Sequence, residues 1–435
     1  MLLGTQQVNA RGHLEIGGVD AVDLAGEFGT PLYVMDERAV RDRIREYREA
    51  FSARYPRTEI SFAGKAFLCA GFCRVIEREG LNLDVASGGE LYTALQAGFP
   101  TERISFHGNN KTEDELKLAL QSRVGRIMVD NRLELERLAV LTEDGGRRQP
   151  IVLRVAPGID PHTHRLISTG QVDSKFGFAL ANGAALDAVK RAAAIPGVEL
   201  RGVHCHVGSQ LLDLEAHIGA VGIMADFIAE VRQRLEVTLG ELNLGGGLGI
   251  RYLETDRPPT VEALADAVVG ALQAKLDEHG LEAPQLHVEP GRSIVGEAGT
   301  TLYTLGGLKV IRGVRTYAAV DGGLSDNPRP AMYQARYSVL LANRLNEAAD
   351  SAVTISGKHC ETDTLFPDVE LPAPRPGDLL AVQSTGAYNY VMASNYNRYP
   401  RPAVVLVGDG RADLLVRRET YEDVVRCDLI PPHLA

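Results

Sequence analysis

Ile60-Ser61-Phe62-Ala63-Gly64-Lys65-Ala66 is an apolar, strand-like run that ends in a glycine and then a single lysine. The same grammar recurs along the chain. Short apolar runs recur at 60–65, 83–87, 104–107, 127–130, 151–155, 202–207, 242–244 and 286–289. Helical periodicity fills the intervals at 90–97, 112–122 and 132–141. The first four gaps are roughly a βα unit long, the spacing that a parallel sheet requires. Eight such strands point to a closed barrel more than to an open sheet. After about residue 295 the pattern changes. The runs at 302–310, 317–320, 353–356, 379–383, 403–407 and 413–417 are short, β-rich and broken by Gly or Pro. The fold class is therefore α/β plus β. A (β/α)8, TIM-like barrel is expected over 31–295, and a mostly antiparallel β domain over 296–435 together with 1–30, where 13–16 also reads as β.

Composition narrows the function. Of 435 residues, 45% are hydrophobic and 24% charged, which suits a globular chain with a large core. The formal charge of −11 contains no long block of one sign, against nucleic acid or an anionic membrane as the main partner. The five cysteines, at 69, 73, 205, 360 and 427, lack metal-pair spacing and suggest a reducing cytoplasm without a disulfide framework. The first residues lack the basic start and apolar core of a signal peptide. The apolar stretch 216–231 carries His217, Asp226 and Glu230 and does not read as a membrane span.

Polar residues at the C-terminal ends of the expected barrel strands form a constellation: Lys65, Asp84, His107, Arg154, His206, Gly245-Gly246-Gly247 and Glu289. In this fold that rim is where catalysis sits. Each member has an ordinary reading. A lone lysine at a strand end is usually a solvated charge, a glycine triplet a flexible turn, and Glu289-Pro290-Gly291-Arg292 a structural salt bridge. Together they supply an amine, a backbone cradle for an anion and a carboxylate for a ring nitrogen, which are the parts needed to hold pyridoxal 5'-phosphate. In His204-Cys205-His206-Val207-Gly208-Ser209-Gln210, an imidazole over a cofactor ring and Ser209 on its phosphate fit better than a metal, because no further ligand has matching spacing. His162 and His164 raise the same metal reading and are discounted likewise; no metal is expected. A long segment, 157–178, reads as a functional loop. Cys360 has the ordinary reading of a buried thiol, and turn chemistry accounts for the loop 321–333 without a function.

As an ordered set, the motifs resemble one family over essentially the whole chain: the diaminopimelate decarboxylases, of the fold-type III pyridoxal-phosphate decarboxylases. The resemblance rests on 62–66, 106–111, 163–177, 206–210, 245–247, 289–292, 321–333, Cys360-Glu361 and 386–388. It implies Lys65 as the Schiff-base lysine, His206 stacked on the ring and Glu289 as the pyridine partner. Ser209, Gly245, Gly246, Gly247, Gly291, Arg292 and Tyr388 would hold the phosphate, with Asp84 also in the cofactor site. Arg292, Arg329, Tyr333, Glu361 and Tyr388 would bind substrate, and Cys360 would be the acid. It further implies a homodimer whose sites lie between subunits, with Cys360 and Glu361 serving the partner's Lys65. The expected reaction is decarboxylation of meso-2,6-diaminopimelate at its D-centre to L-lysine and carbon dioxide, the last step of lysine biosynthesis. Two departures stand out: Phe62 replaces a common tyrosine, and Thr362-Asp363-Thr364 follows Cys360-Glu361 where the family often has a serine and, two positions on, an aspartate. Same-fold decarboxylases of arginine, ornithine or lysine are the nearest alternative, and Arg329 argues against their purely cationic substrates. Glu289 argues against an alanine-racemase-like enzyme. The presence of both Lys65 and Cys360 argues against a non-catalytic barrel.

Overall fold

The structure is a computed structural model, and it describes residues 2–143, 146–159 and 175–434. Most of the 157–178 segment, with His162 and His164, lies outside the described residues. The chain divides into two compact units: 42–250 with 257–294, and 1–41 with 251–256 and 295–435.

The first unit is the barrel. Its strands are Thr58–Ala63, Asn82–Val85, Ile104–Phe106, Arg126–Val129, Gln149–Ala156, Val198–His204, Glu241–Asn243 and Gln285–Val288. Each runs parallel to the next, and the last pairs with the first through Leu286 and Thr58, so the sheet closes without an edge. Phe62, Leu83, Ile104, Phe106, Ile127, Ile151, Val203, Leu242 and Leu286 are fully buried. Short side chains punctuate the path from strand to helix. Ser87, Asn131 and Thr260 each cap the following helix through a backbone N–H, and Thr112 with Glu115 forms a reciprocal capping box. Each such cap stabilises its helix by about 1 kcal/mol.

An ion network lies near the start of the strands. Arg126 Nε donates to Glu241 Oε2 at 2.7 Å and Nη2 to Glu59 Oε2 at 3.1 Å, with the arginine side chain only 8% exposed. His287 lies 3.5 Å from Glu59 and 3.6 Å from Glu241. These groups are paired with one another, as suits the face of a barrel that carries stability rather than chemistry.

The second unit is built on the long strand Gly299–Ile311. It pairs antiparallel with Leu32–Asp36, Arg315–Val320 and Leu379–Gln383. Ser351–Ser356, Thr364–Leu371, Val339–Leu341, Ala403–Gly408 and Arg411–Val416 extend the sheet, which is mostly antiparallel. Leu32–Asp36, on the barrel side of the expected boundary at 31, is thus a central strand of this sheet. Leu14–Ile16 does not join the sheet. It pairs with Gln7–Val8 and Val19–Asp20 in a small sheet of its own, and Leu14 and Ile16 pack in one core with Leu302, Leu379 and Val405.

Candidate active site

The rim residues converge because parallel strands in register end on one face. Lys65 sits in the 3-10 turn Gly64–Ala66 directly after the first barrel strand, and its charge is felt at Asp84, Glu90 and His206. Lys111, in the 106–111 motif, is a different kind of lysine. Its ammonium is buried, lies 2.6 Å from Glu134 and donates to the carbonyls of Gly108 and Met128. The two lysines are thereby separated by environment, one spent on structure and one available for chemistry.

Glu289, just past the last strand, is the electrostatic centre of the rim. Asn243 Nδ2 donates to its Oε1 at 2.6 Å, His107 Nε2 lies 3.1 Å from the same oxygen, and His204 Nε2 lies 3.2 Å from Oε2. Burial alone would raise this carboxyl, but His107 and His204 outweigh it and hold Glu289 well below the ordinary carboxylate range. Asp84 goes the other way: burial, then the Glu289 charge, pushes it well above its ordinary value, and Lys65 only partly offsets this. The two carboxyls of the rim are therefore shifted in opposite directions. Burial takes His204 down to about 4 despite Glu289. Burial, with the Lys65 and Arg154 charges, takes His206 well below its usual value. Burial thus shifts both histidines toward the neutral imidazole.

Asn243 also accepts from the Gly245 N–H at 2.8 Å, so one side chain ties the carboxylate to the glycine triplet. A Cβ on Gly245 would lie 2.8 Å from the Cys205 carbonyl and from His206 Nδ1, and one on Gly246 only 2.3 Å from the Glu289 carbonyl. Gly245 and Gly247 also have φ of +67° and +130°. Only glycine fits this packing and this backbone, the close-packed turn that an anion cradle is built from. Ser209 and Arg292 meet at the same place, with Arg292 Nη2 donating to Ser209 Oγ at 2.9 Å. A caged carboxylate, a rim lysine, a neutral imidazole and a glycine cradle fit pyridoxal phosphate.

The unit that contains 251–256 and 295–435 has a polar group of its own. Arg329 is buried, its Nε donates to Tyr337 Oη at 2.8 Å, and its guanidinium lies over the rings of Tyr333, Tyr388 and Tyr252 at 5.1, 5.8 and 5.9 Å. Tyr388 holds a left-handed backbone, φ +60°, a strained conformation for an aromatic residue. Cys360 and Glu361 are exposed on the chain, and the Tyr396 hydroxyl donates to Glu361. The Cys360 thiol is thus not the buried one of the ordinary reading.

The sequence reading placed Lys65, Asp84, His107, Arg154, His206, the 245–247 glycines and Glu289 at the ends of the barrel strands, and the structure has them in or just after those strands. That reading missed Asn243 and the bond from His204 to Glu289. A polar pair one strand apart, Asn243 and His204, was the available signal, since the strands that carry them pair residue for residue. His107, His204 and Glu289 bring metal-donor atoms within 4.8 Å of one another. Both imidazoles face carboxylate oxygens at hydrogen-bond distance, which makes the group an anion cage. Tyr252 and Tyr337 around Arg329 were also missed, because they lie 77 and 8 positions away in a turn-rich part of the chain.

Residues 38–296 match the family model described as pyridoxal-dependent decarboxylase, pyridoxal binding domain. The diaminopimelate decarboxylase of Bacillus subtilis (strain 168) is 49% identical over 429 residues, 98% of each chain. That of Synechocystis sp. is 45% identical over 443 residues, covering 99% of this chain and 93% of the relative. The crystal structure of the M. jannaschii diaminopimelate decarboxylase in complex with L-lysine superposes with a TM-score of 0.93 at 35% identity, covering 100% of both chains. The chain thus belongs to the diaminopimelate decarboxylase family of pyridoxal-dependent decarboxylases.

Proposed function

We propose that this enzyme decarboxylates meso-2,6-diaminopimelate at its D-centre, giving L-lysine and carbon dioxide as the last step of lysine biosynthesis. The observation that carries the reading is Glu289, held ionised by His107, His204 and Asn243 on a rim shared with Lys65. When bound, pyridoxal phosphate supplies the electron sink that the departing carboxylate requires.

The chain's own groups do the rest. Lys65 anchors the cofactor. Glu289 would offer its charge to the ring nitrogen, His206 would face the ring, and Asp84 would complete the cofactor pocket. Ser209, the 245–247 cradle, Gly291, Arg292 and Tyr388 hold the phosphate. The distal end of the substrate is itself an amino acid carrying both charges. Arg292, Arg329, Tyr333, Tyr388 and Glu361 answer it with cations, hydroxyls and one anion. Cys360 gives a proton to the carbon that loses carbon dioxide.

The barrel is read as the cofactor domain, and the β domain as the source of substrate and dimer-interface residues. Exposure of Cys360 and Glu361 on the single chain supports a homodimer in which they complete the partner's site. The net charge of −11 supports a chain without nucleic-acid partners. Among the described residues no helix is long and apolar enough to cross a membrane, which supports a cytoplasmic location without membrane attachment.

The test is to incubate the purified holoenzyme with meso-diaminopimelate and measure L-lysine and carbon dioxide. Efficient turnover of ornithine or arginine, with none of diaminopimelate, would move the protein to the neighbouring class. The composite site has its own test. Inactive Lys65→Ala and Cys360→Ala chains, unfolded and refolded together, should regain roughly a quarter of wild-type activity through random mixing. Mixed dimers as inactive as their parents would place each site within one chain.

A further inference from the structure

Residues 357–363 form a closed loop. The Gly357 N–H donates to the Asp363 carbonyl at 2.8 Å, and the Lys358 N–H to the Gly322 carbonyl at 3.0 Å. Cys360 and Glu361 are exposed, while the side chains of His359 and Asp363 are 0% and 2% exposed. Asp363 Oδ2 accepts from His359 Nδ1 at 2.7 Å and from the His359 N–H at 3.1 Å. Its Oδ1 accepts from the Leu324 N–H at 2.8 Å, on the turn that leads to Arg329. One carboxylate thus ties the loop of Cys360 to the loop of Arg329.

The surroundings are built for this pair. A Cβ on Gly357 would lie 2.0 Å from Asp363 Oδ2. One on Gly323 would lie 2.2 Å from that oxygen and 2.6 Å from His359 Nδ1. Asp363 itself has φ +38°, a cost that a residue accepts only where its surroundings over-determine it. The His359 ring lies parallel to Tyr396, 5.8 Å and 8°, and edge-on to Tyr399, 5.0 Å and 81°; the Tyr396 hydroxyl in turn reaches Glu361. Cys360 has a weaker tether of its own, a 3.4 Å bond from its N–H to Asn397 Oδ1. Its place is therefore set chiefly by the residue before it. A buried polar pair is weak evidence for stability, since apolar residues of similar volume often serve as well; what it enforces is one geometry.

We propose that His359 and Asp363 are positioning residues that hold the Cys360 thiol on the line along which it delivers its proton. The inference rests on the reading of Cys360 as the proton donor. A displacement of 1 Å at such a group costs about a hundredfold in rate.

The test runs the holoenzyme on meso-diaminopimelate in deuterium oxide and reads two quantities: kcat, and the configuration of the deuterium on the carbon that lost carbon dioxide. Wild type should place the label in one configuration. Asp363→Asn keeps an oxygen for Leu324 but turns an N–H toward the donors of His359. It should lower kcat by about tenfold or more and mix the label. His359→Asn restores a side-chain N–H near the place of Nδ1 and should recover most of the rate and a single configuration. His359→Phe keeps the ring against Tyr396 without the donor, and should behave like Asp363→Asn. A general loss of folded enzyme would lower kcat without mixing the label.

The proposal is overturned if Asp363→Asn and His359→Phe, folded with wild-type Tm, retain the wild-type rate and a single configuration. It is equally overturned if His359→Phe outperforms His359→Asn, because the ring contact then matters and the hydrogen bond does not. Should Asp363→Asn fail to fold, the two His359 variants decide alone. Cys360→Ala separates the two readings: a wild-type rate with single-configuration product from it would remove Cys360 as donor, whatever the His359 and Asp363 variants show.

Discussion

Glu289 in the barrel and Asp363 in the β unit are both buried acidic side chains with three donors around them, but the donors come from different places. Those of Glu289 are side chains from the ends of three other strands, His107, His204 and Asn243. Those of Asp363 come from its own loop and one neighbouring turn, and two are backbone N–H groups. The first arrangement is a product of strand register, which brings residues up to 182 positions apart to one rim. The second is a product of turn geometry, two of its donors lying four positions away and the third, Leu324, 39 positions away. Register holds a charge in place across the barrel, whereas the turn fixes the loop that carries the exposed Cys360 and Glu361.

The largest expected effect lies on the barrel side. Lys65→Ala should abolish turnover, and borohydride reduction of wild type followed by peptide mapping should leave the pyridoxyl group on Lys65. A label on Lys111 would break the assignment, although the buried bond to Glu134 already gives that ammonium another role.

Glu289→Gln comes next. Cofactor should remain bound while kcat falls by a factor of about 10²–10³, the typical loss when one fixed electrostatic partner of a transition state is removed. Near-normal turnover would reduce Glu289 to a structural member of the cage.

The β unit offers a smaller and more selective effect. Arg329→Ala should lower kcat/KM for meso-diaminopimelate by about 2–4 kcal/mol, through loss of a charge-assisted contact to the distal carboxylate. Any slow activity on lysine or ornithine should be spared, because a repulsive cation is gone. Equal losses on both substrates would mean that Arg329, with its bond to Tyr337, shapes the fold rather than the specificity.

The smallest effect on turnover is expected from the ion network near the strand starts. Arg126→Met leaves Glu241 with Arg201 at 3.7 Å and Glu59 with Asn82, and should lower stability in denaturant titration by about 1–3 kcal/mol. The kcat of the folded fraction should not change. A fall in kcat at unchanged stability would show that this network communicates with the rim.

Much of the barrel was legible because its information is repetitive. Eight apolar runs, separated by capped helices, state a closed sheet many times over, so an error in one run does not change the conclusion. The rim followed from the same rule, since whatever ends a strand faces one side. Asn243 was not legible, because an asparagine one residue before a leucine and three glycines has an ordinary reading as a turn residue. Its bond to Glu289 depends on which strands are neighbours. The strand Leu32–Asp36 was missed for a related reason. It is buried on both faces, has no alternation to show, and its partners Gly299–Ile311 and Ala403–Gly408 lie far along the chain.

What the sequence determined by itself is the chemistry on offer: a rim lysine, a glycine triplet, an acidic side chain after the last barrel strand, and an ordered set of motifs specific enough to indicate the family. Those are properties of residue type and spacing, and they survive without coordinates. The tertiary structure decided the protonation pattern and the positioning. That Glu289 is shifted down and Asp84 up depends on distances such as those of His107 Nε2, 3.1 Å from Glu289 and 4.0 Å from Asp84. Whether Asp363 is a solvated loop residue or the anchor of the Cys360 loop depends on a burial that no local pattern states. Electrostatic energies fall off over a few ångströms, so such questions are settled by distances between residues that the chain itself keeps far apart.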